Sequence, residues 1–163
     1  MSVIYLAGGC FWGVQKYFDQ FEGIIKTTVG YANGRTENPK YEDVKAGKTG
    51  HVETVKIEYD ESLRSLNQIL DDYYKIIDPT SLNKQGEDEG ISYRTGIYYV
   101  EKIDFEIIQS KYNEIQKKYD LPLAVEVFKI KQMKFKKIIK KKWLLRYNHS
   151  IISMKQRSII KNI

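Results

Sequence analysis

The sequence predicts an α+β sandwich, with helices packed on a largely antiparallel sheet. Two observations carry that expectation. Apolar residues switch between a period of two and a period near 3.6 along residues 2–128. The segments so defined follow the order β-α-β-β-α-β-α-β, with no internal repeat.

Ser2 to Ala7 reads as a short apolar strand ending at Gly8-Gly9. A helix starts near Cys10, with Val14, Tyr17, Phe18 and Phe21 at helical spacing, and Gly23 ends it. Ile24 to Ala32 is rich in strand formers, and Asn33-Gly34 is a turn signal. Residues 35–50 are polar and glycine-bearing, which predicts a long surface loop. Val52 to Tyr59 alternates as a strand does. Ser62 to Ile77 carries an apolar face of Leu66, Ile69, Leu70, Tyr73 and Tyr74, a helix that Asp78-Pro79 stops. A loop over Thr80–Gly90 precedes a strand at Ile91–Val100, a helix at Ile103–Tyr119 and a strand at Leu121–Phe128.

At 163 residues, 42% hydrophobic and 29% charged, the chain has the balance of one soluble globular domain with a real core. No apolar run is long enough to span a membrane. The opening MSVIYLAGG lacks the basic region and the length of a secretory signal. The single cysteine excludes an internal disulfide and fits a reducing, cytoplasmic setting. The net charge of +6 is unevenly placed. Residues 1–127 carry 21 acidic and 15 basic side chains, whereas residues 128–163 carry 12 basic and no acidic ones. The high isoelectric point therefore belongs to the tail and gives no ground for a nucleic-acid partner of the body.

Cys10 follows two glycines at a strand-to-helix junction. The free N–H groups and positive dipole end of a helix start stabilise a thiolate. Gly8 and Gly9 permit a tight turn, and Phe11 and Trp12 set two aromatic faces beside the sulfur. A lone cysteine by itself also fits a small core hydrophobe; the surrounding Gly-Gly-Cys-Phe-Trp-Gly favours the reactive reading. Metal spacing is absent, with one cysteine and two histidines, so no zinc site is expected. No phosphate-binding glycine loop is present. Alternation puts His51 on the same sheet face as Glu53, and His51 is read as structural.

GCFWG at residues 9–13 resembles the active-site signature of the peptide methionine sulfoxide reductase A family. VGYANG (29–34), NPKYEDV (38–44), GKTGHVETVKIEYD (47–60), DPTSLNKQGEDEGISYRTGIYY (78–99) and LPLAVEV (121–127) resemble the same family in the same order. The resemblance implies a ferredoxin-like sandwich and thiol-dependent reduction of methionine-S-sulfoxide, free or protein-bound, as repair after oxidative damage. It implies that Cys10 attacks the sulfoxide sulfur and that Glu53 protonates the oxygen. Such a carboxyl must keep its proton near neutral pH, which burial achieves. Tyr41 and Tyr93 resemble the phenols that hydrogen-bond the same oxygen, a task for O–H donors that do not themselves ionise. Asp88 completes the polar side, and Phe11 and Trp12 line an apolar slot for the S-methyl group. Attack leaves a sulfenic acid on Cys10. With no second cysteine, an external reductant is implied: a thioredoxin, a glutaredoxin or a small thiol. No bound cofactor is implied, and a monomer is expected.

After LPLAVEVFKI the resemblance stops. Residues 1–130 are expected to form the catalytic domain and residues 131–163 a basic tail foreign to the family. One codon choice for Met154–Ile163, read one nucleotide earlier, spells YEAEEYHQKY, the family segment missing at this point, so the tail is expected to be out of frame. A Lys-rich amphipathic stretch could also bind acidic membranes or nucleic acid. That leaves a second reading, a weakened reductase scaffold whose tail is a binding module. A third, a peroxide-reducing thiol enzyme of the same architecture, is disfavoured by the pairing of Tyr41 with Tyr93.

Overall fold

The computed structural model describes residues 1–130 and the backbone of residues 133–134. β1 (Ser2–Gly8) lies inside a six-stranded sheet, paired antiparallel with β3 (Val52–Tyr59) on one side and β6 (Thr95–Tyr99) on the other. β2 (Ile24–Ala32) pairs antiparallel with β3, giving the order β6-β1-β3-β2. With α1 (Phe11–Phe18) joining β1 to β2 and α3 (Leu66–Ile76) following β3, this is the expected ferredoxin-like arrangement. Two edge strands extend it. β7 (Glu126–Lys129) adds parallel to β6, and β8 (Met133–Lys134) adds antiparallel to β2.

Strand alternation decides what each face meets. Ile4, Leu6, Val55, Ile57 and Ile97 are buried in one core with Val14 and Phe18 of α1 and Ile69, Leu70 and Tyr73 of α3. The alternate residues Ala7, Ala32, Val52 and Tyr98 form a smaller cluster on the other face. α3 starts later than Ser62 because Ser65 caps it. The Ser65 hydroxyl accepts from the Gln68 N–H at 3.2 Å, and the Gln68 Oε1 accepts from the Ser65 N–H at 2.9 Å.

Four further expectations are corrected. α1 ends at Phe18 rather than Gly23, and Gly23 instead turns the chain into β2 with φ 91°. The 35–50 segment contains a short helix, α2 (Tyr41–Lys45), anchored by buried Val44. The 80–90 loop contains a small hairpin of β4 (Lys84–Gln85) and β5 (Asp88–Glu89). Ile91–Tyr93 is a 3-10 turn rather than strand, because Tyr93 N–H donates back to the Gly90 carbonyl at 3.0 Å and Arg94 Nη1 ties down the Ile91 carbonyl at 2.6 Å.

The last strand also starts late. Pro122 offers no N–H, and the segment before β7 is held instead by α4 (Lys102–Gln116). Gln116 Oε1 accepts from Leu123 N–H at 2.9 Å, and Tyr112 donates to the Leu123 carbonyl at 3.2 Å. The expectations for residues 131–163 lie outside the described residues, apart from the β8 backbone.

Candidate active site

Cys10 is the cap residue of α1, 1% exposed, as its place between β1 and the helix predicts. Gly9 before it has φ 80°, and a Cβ there would come within 2.8 Å of the Gln85 Cβ. The glycine thus lets the β4 strand press against the cysteine turn. Gln85 itself is locked, its Oε1 accepting from Asp78 N–H at 2.9 Å and its Nε2 donating to the Asp78 carbonyl at 2.8 Å.

Glu53 comes from β3, the strand paired directly with β1, and is 2% exposed. Neither of its carboxyl oxygens has a hydrogen-bond partner. Asp88, on β5, is half-buried. The carboxyls of Glu53 and Asp88 are the two charged groups whose fields act on Cys10. Burial, then Asp88, pushes Glu53 well above the usual carboxylate range, with Lys45 of α2 opposing. Burial and the neighbouring Glu87 push Asp88 up to about 6. Glu53 therefore keeps its proton to higher pH than an ordinary carboxyl does.

The state of the sulfur is corrected. N–H groups of Gly13 and Trp12 do favour the thiolate, as the helix-start argument expects. Burial and the Glu53 carboxyl outweigh them, and the Cys10 thiol is pushed well above its ordinary value. At rest the sulfur carries its proton.

Tyr41 from α2 and Tyr93 from the 3-10 turn meet through a side-chain hydrogen bond, and Tyr93 lies in the fields of Glu53 and Asp88. The Lys45 ammonium sits 5.8 Å from the centre of the Tyr41 ring. Trp12 is half-buried, packed edge-on to Phe11 with ring centres 5.2 Å apart, and its Nε1 has no partner. Phe11 is a core residue, its ring tilted by 34° against Tyr31 with ring centres 5.7 Å apart. The structure thus gathers Cys10, Phe11, Trp12, Tyr41, Glu53, Asp88 and Tyr93 from five separate segments into one neighbourhood.

His51 stays apart, as expected. Its Nδ1 accepts from Gly34 N–H at 3.1 Å and its Nε2 meets the Thr36 carbonyl at 2.8 Å. A Cβ on Gly34 would overlap the imidazole, so only glycine fits there. Two groups escaped the sequence reading: Lys45, beside both carboxyls, and Tyr31, directly across from Glu53 in the β2–β3 register. Among the described residues no group of His, Cys, Asp and Glu could hold a metal ion.

A thiol facing a protonated carboxyl and a phenol pair can attack an electrophilic sulfur while a proton and two O–H donors receive the oxygen that leaves it. The class so defined is a thiol oxidoreductase of α+β fold. The family model for peptide methionine sulfoxide reductase matches residues 2–162. The chain is 57% identical over 126 residues to the enzyme named peptide methionine sulfoxide reductase MsrA in Lachnoclostridium phytofermentans, covering 77% of this chain and 76% of that one. It is 55% identical over 132 residues to the protein of the same name in Clostridium botulinum (strain Hall), covering 80% of this chain and 83% of that one. The reduced form of Mxr1 from Saccharomyces cerevisiae superposes with a TM-score of 0.83 at 28% identity, covering 94% of this chain and 89% of that chain. The chain belongs to the peptide methionine sulfoxide reductase family.

Proposed function

We propose that Cys10, Glu53, Tyr41, Tyr93 and Asp88 carry out reduction of methionine-S-sulfoxide to methionine, with Phe11 and Trp12 forming the slot for the S-methyl group. The chain is a peptide-methionine (S)-S-oxide reductase. The observation that carries the residue assignment is Glu53: a buried carboxyl, pushed toward its protonated form, with both oxygens unpartnered, beside the chain's one thiol. A structural carboxyl so placed would have a partner. An acid awaiting an acceptor would not.

In the first half-reaction the Cys10 sulfur attacks the sulfoxide sulfur as Glu53 protonates the oxygen and the phenols of Tyr41 and Tyr93 hold it. The sulfoxide sulfur gains two electrons and leaves as methionine. The oxygen ends on Cys10 as a sulfenic acid, and the thiol proton that Cys10 gives up restores the Glu53 acid. In the second half two thiols reduce the sulfenic acid, releasing water and a disulfide. Cys10 is the only cysteine, so these thiols come from outside the chain. A thioredoxin-type protein fits that role, and Mxr1 has also been solved in complex with Trx2. A glutaredoxin or a small thiol is the other source. The protein acts as a cytoplasmic monomer, on free or protein-bound sulfoxide, with no nucleic acid or membrane bound.

The experiment is turnover of each sulfoxide epimer with an external dithiol, followed by sulfenic-acid trapping. Turnover of the S epimer alone, with trap on Cys10 only after substrate is added, is expected. Equal turnover of both epimers, or no trap on Cys10 after substrate is added, overturns the assignment.

The division at residue 130 and the out-of-frame origin of residues 131–163 are also proposed. Pairwise similarity extending over 126 to 132 residues supports them, whereas the family model runs on to residue 162. Sequencing the gene tests this: a reading frame in which no single-base change restores YEAEEYHQKY after residue 127 overturns it.

A further inference from the structure

Tyr31 stands directly across from Glu53 in the antiparallel β2–β3 pair. Such cross-strand partners send their side chains to the same face, with Cβ atoms roughly 5 Å apart. Tyr31 is 1% exposed, and its hydroxyl has no hydrogen-bond partner. Its ring is fixed against Phe11 at 5.7 Å, so the phenol cannot swing freely to find one. Around it lie Glu53 first, then Tyr41 and Glu42 of α2. Two buried, unpartnered groups therefore face each other across one rung of the sheet.

Their chemistry explains why they share a pocket without bonding at rest. A protonated carboxyl is a modest acceptor, but the carboxylate left after proton donation is acceptor-only, with two oxygens to satisfy in a dry site. We propose that Tyr31 is a positioning residue for the acid, its phenol donating a hydrogen bond to the Glu53 carboxylate as that group gives its proton to the sulfoxide oxygen. This rests on the reading of Glu53 as the acid. Tyr31 thereby works through Glu53 and not on the substrate, which Tyr41 and Tyr93 hold.

Tyr31→Phe keeps the ring and removes only the donor. Sulfenic-acid formation, measured in single turnover on the full chain, is expected to slow about 10- to 100-fold, the worth of a hydrogen bond to a charged group. KM should hold. Without its donor the carboxylate is less stable, so the alkaline limb of the rate profile, where Glu53 loses its proton, moves to higher pH. A mere packing role would leave that limb in place. Glu53→Gln is run alongside. If Glu53→Gln does not slow the step, the acid assignment fails and the Tyr31 inference falls with it. If Glu53→Gln slows it while Tyr31→Phe keeps the native rate and limb, the inference alone is overturned. It is also overturned if Tyr31→Phe costs as much on the Glu53→Gln background as on the native one, since Tyr31 then acts elsewhere. Should Tyr31→Phe not fold, fluorotyrosine at position 31 tests the same bond with a stronger donor. The limb should then move to lower pH, and an unmoved limb overturns the proposal.

Discussion

Tyr73, His51 and Gln85 are buried polar side chains with their bonds made. Tyr73 donates to the Ala7 carbonyl at 2.6 Å, His51 bridges Gly34 and Thr36, and Gln85 clasps the backbone of Asp78. A short way off, Glu53, Tyr31 and the Trp12 indole N–H are buried with theirs unmade. Each unmade bond costs about 1–3 kcal/mol relative to a satisfied group. The first set is satisfied and the second open, a cost that the fold also carries at the buried hydroxyls of Tyr59 and Tyr74. The bonded set pins the loops that shape the pocket, and the unbonded set keeps its hydrogen-bonding capacity for a group that arrives and leaves.

If that division is right, changes in the unbonded set should damage turnover and spare the fold, and changes in the bonded set should do the reverse. The largest effect is expected from Cys10→Ser, at the thiol that the unbonded set surrounds, which should abolish reduction of the S epimer with an unchanged melting temperature, because a hydroxyl is no substitute nucleophile at neutral pH. Appreciable turnover would remove Cys10 from the mechanism. Glu53→Gln should slow sulfenic-acid formation by roughly 10²- to 10⁴-fold, the usual worth of a general acid. Acid pH should recover part of the loss, since solvent then supplies the proton; a profile of native shape would argue against Glu53 as donor. Trp12→Ala should raise KM more than it lowers the melting temperature, its ring being only half-buried. A variant that unfolds, while its folded fraction binds substrate normally, makes Trp12 a core residue. From the bonded set, Tyr73→Phe should cost about 1 kcal/mol in urea unfolding and leave turnover per folded molecule native. Lost turnover with native stability would blur the comparison at its structural end.

Sequence made one side of this comparison much easier to read than the other. β3 was legible to its ends at Val52 and Tyr59, and Cys10 at its helix start, because both signals are local: strict alternation, and two glycines at a junction. α2 was not legible, since five residues are too few to show a helical period. Its loss hid Lys45, whose nearness to both carboxyls depends on that turn. Tyr31 lay in plain view among 13 tyrosines. What singles it out is the register that sets it opposite Glu53, and register is a property of two strands that neither one encodes alone. The thiol shows the same limit. The dipole of α1 is local and was read correctly, but its effect is overridden by burial and by carboxyls delivered from β3 and β5.

The smallest effect asks whether the open site costs stability in the way its charges imply. Burial holds Glu53 well above its ordinary value of 4.5, so the folded chain keeps this proton at pH values where the unfolded chain has lost it. The sign follows. A carboxyl whose folded pKa is raised favours the fold fully below its unfolded pKa, and that contribution is lost as pH climbs toward the folded value. Asp88, raised from 3.8 to about 6, adds a loss of the same sign across that window. Glu53→Gln removes the titration and leaves an uncharged side chain of nearly the same shape. The amide brings its own buried donors, a cost that does not depend on pH. The informative quantity is therefore the change with pH of the stability gap between variant and native protein. The variant should gain on the native chain between about pH 4 and about pH 7, read from urea midpoints at each pH. A gap that stays constant over that range would mean that the folded and unfolded chains bind this proton equally, and that Glu53 is not held as an acid.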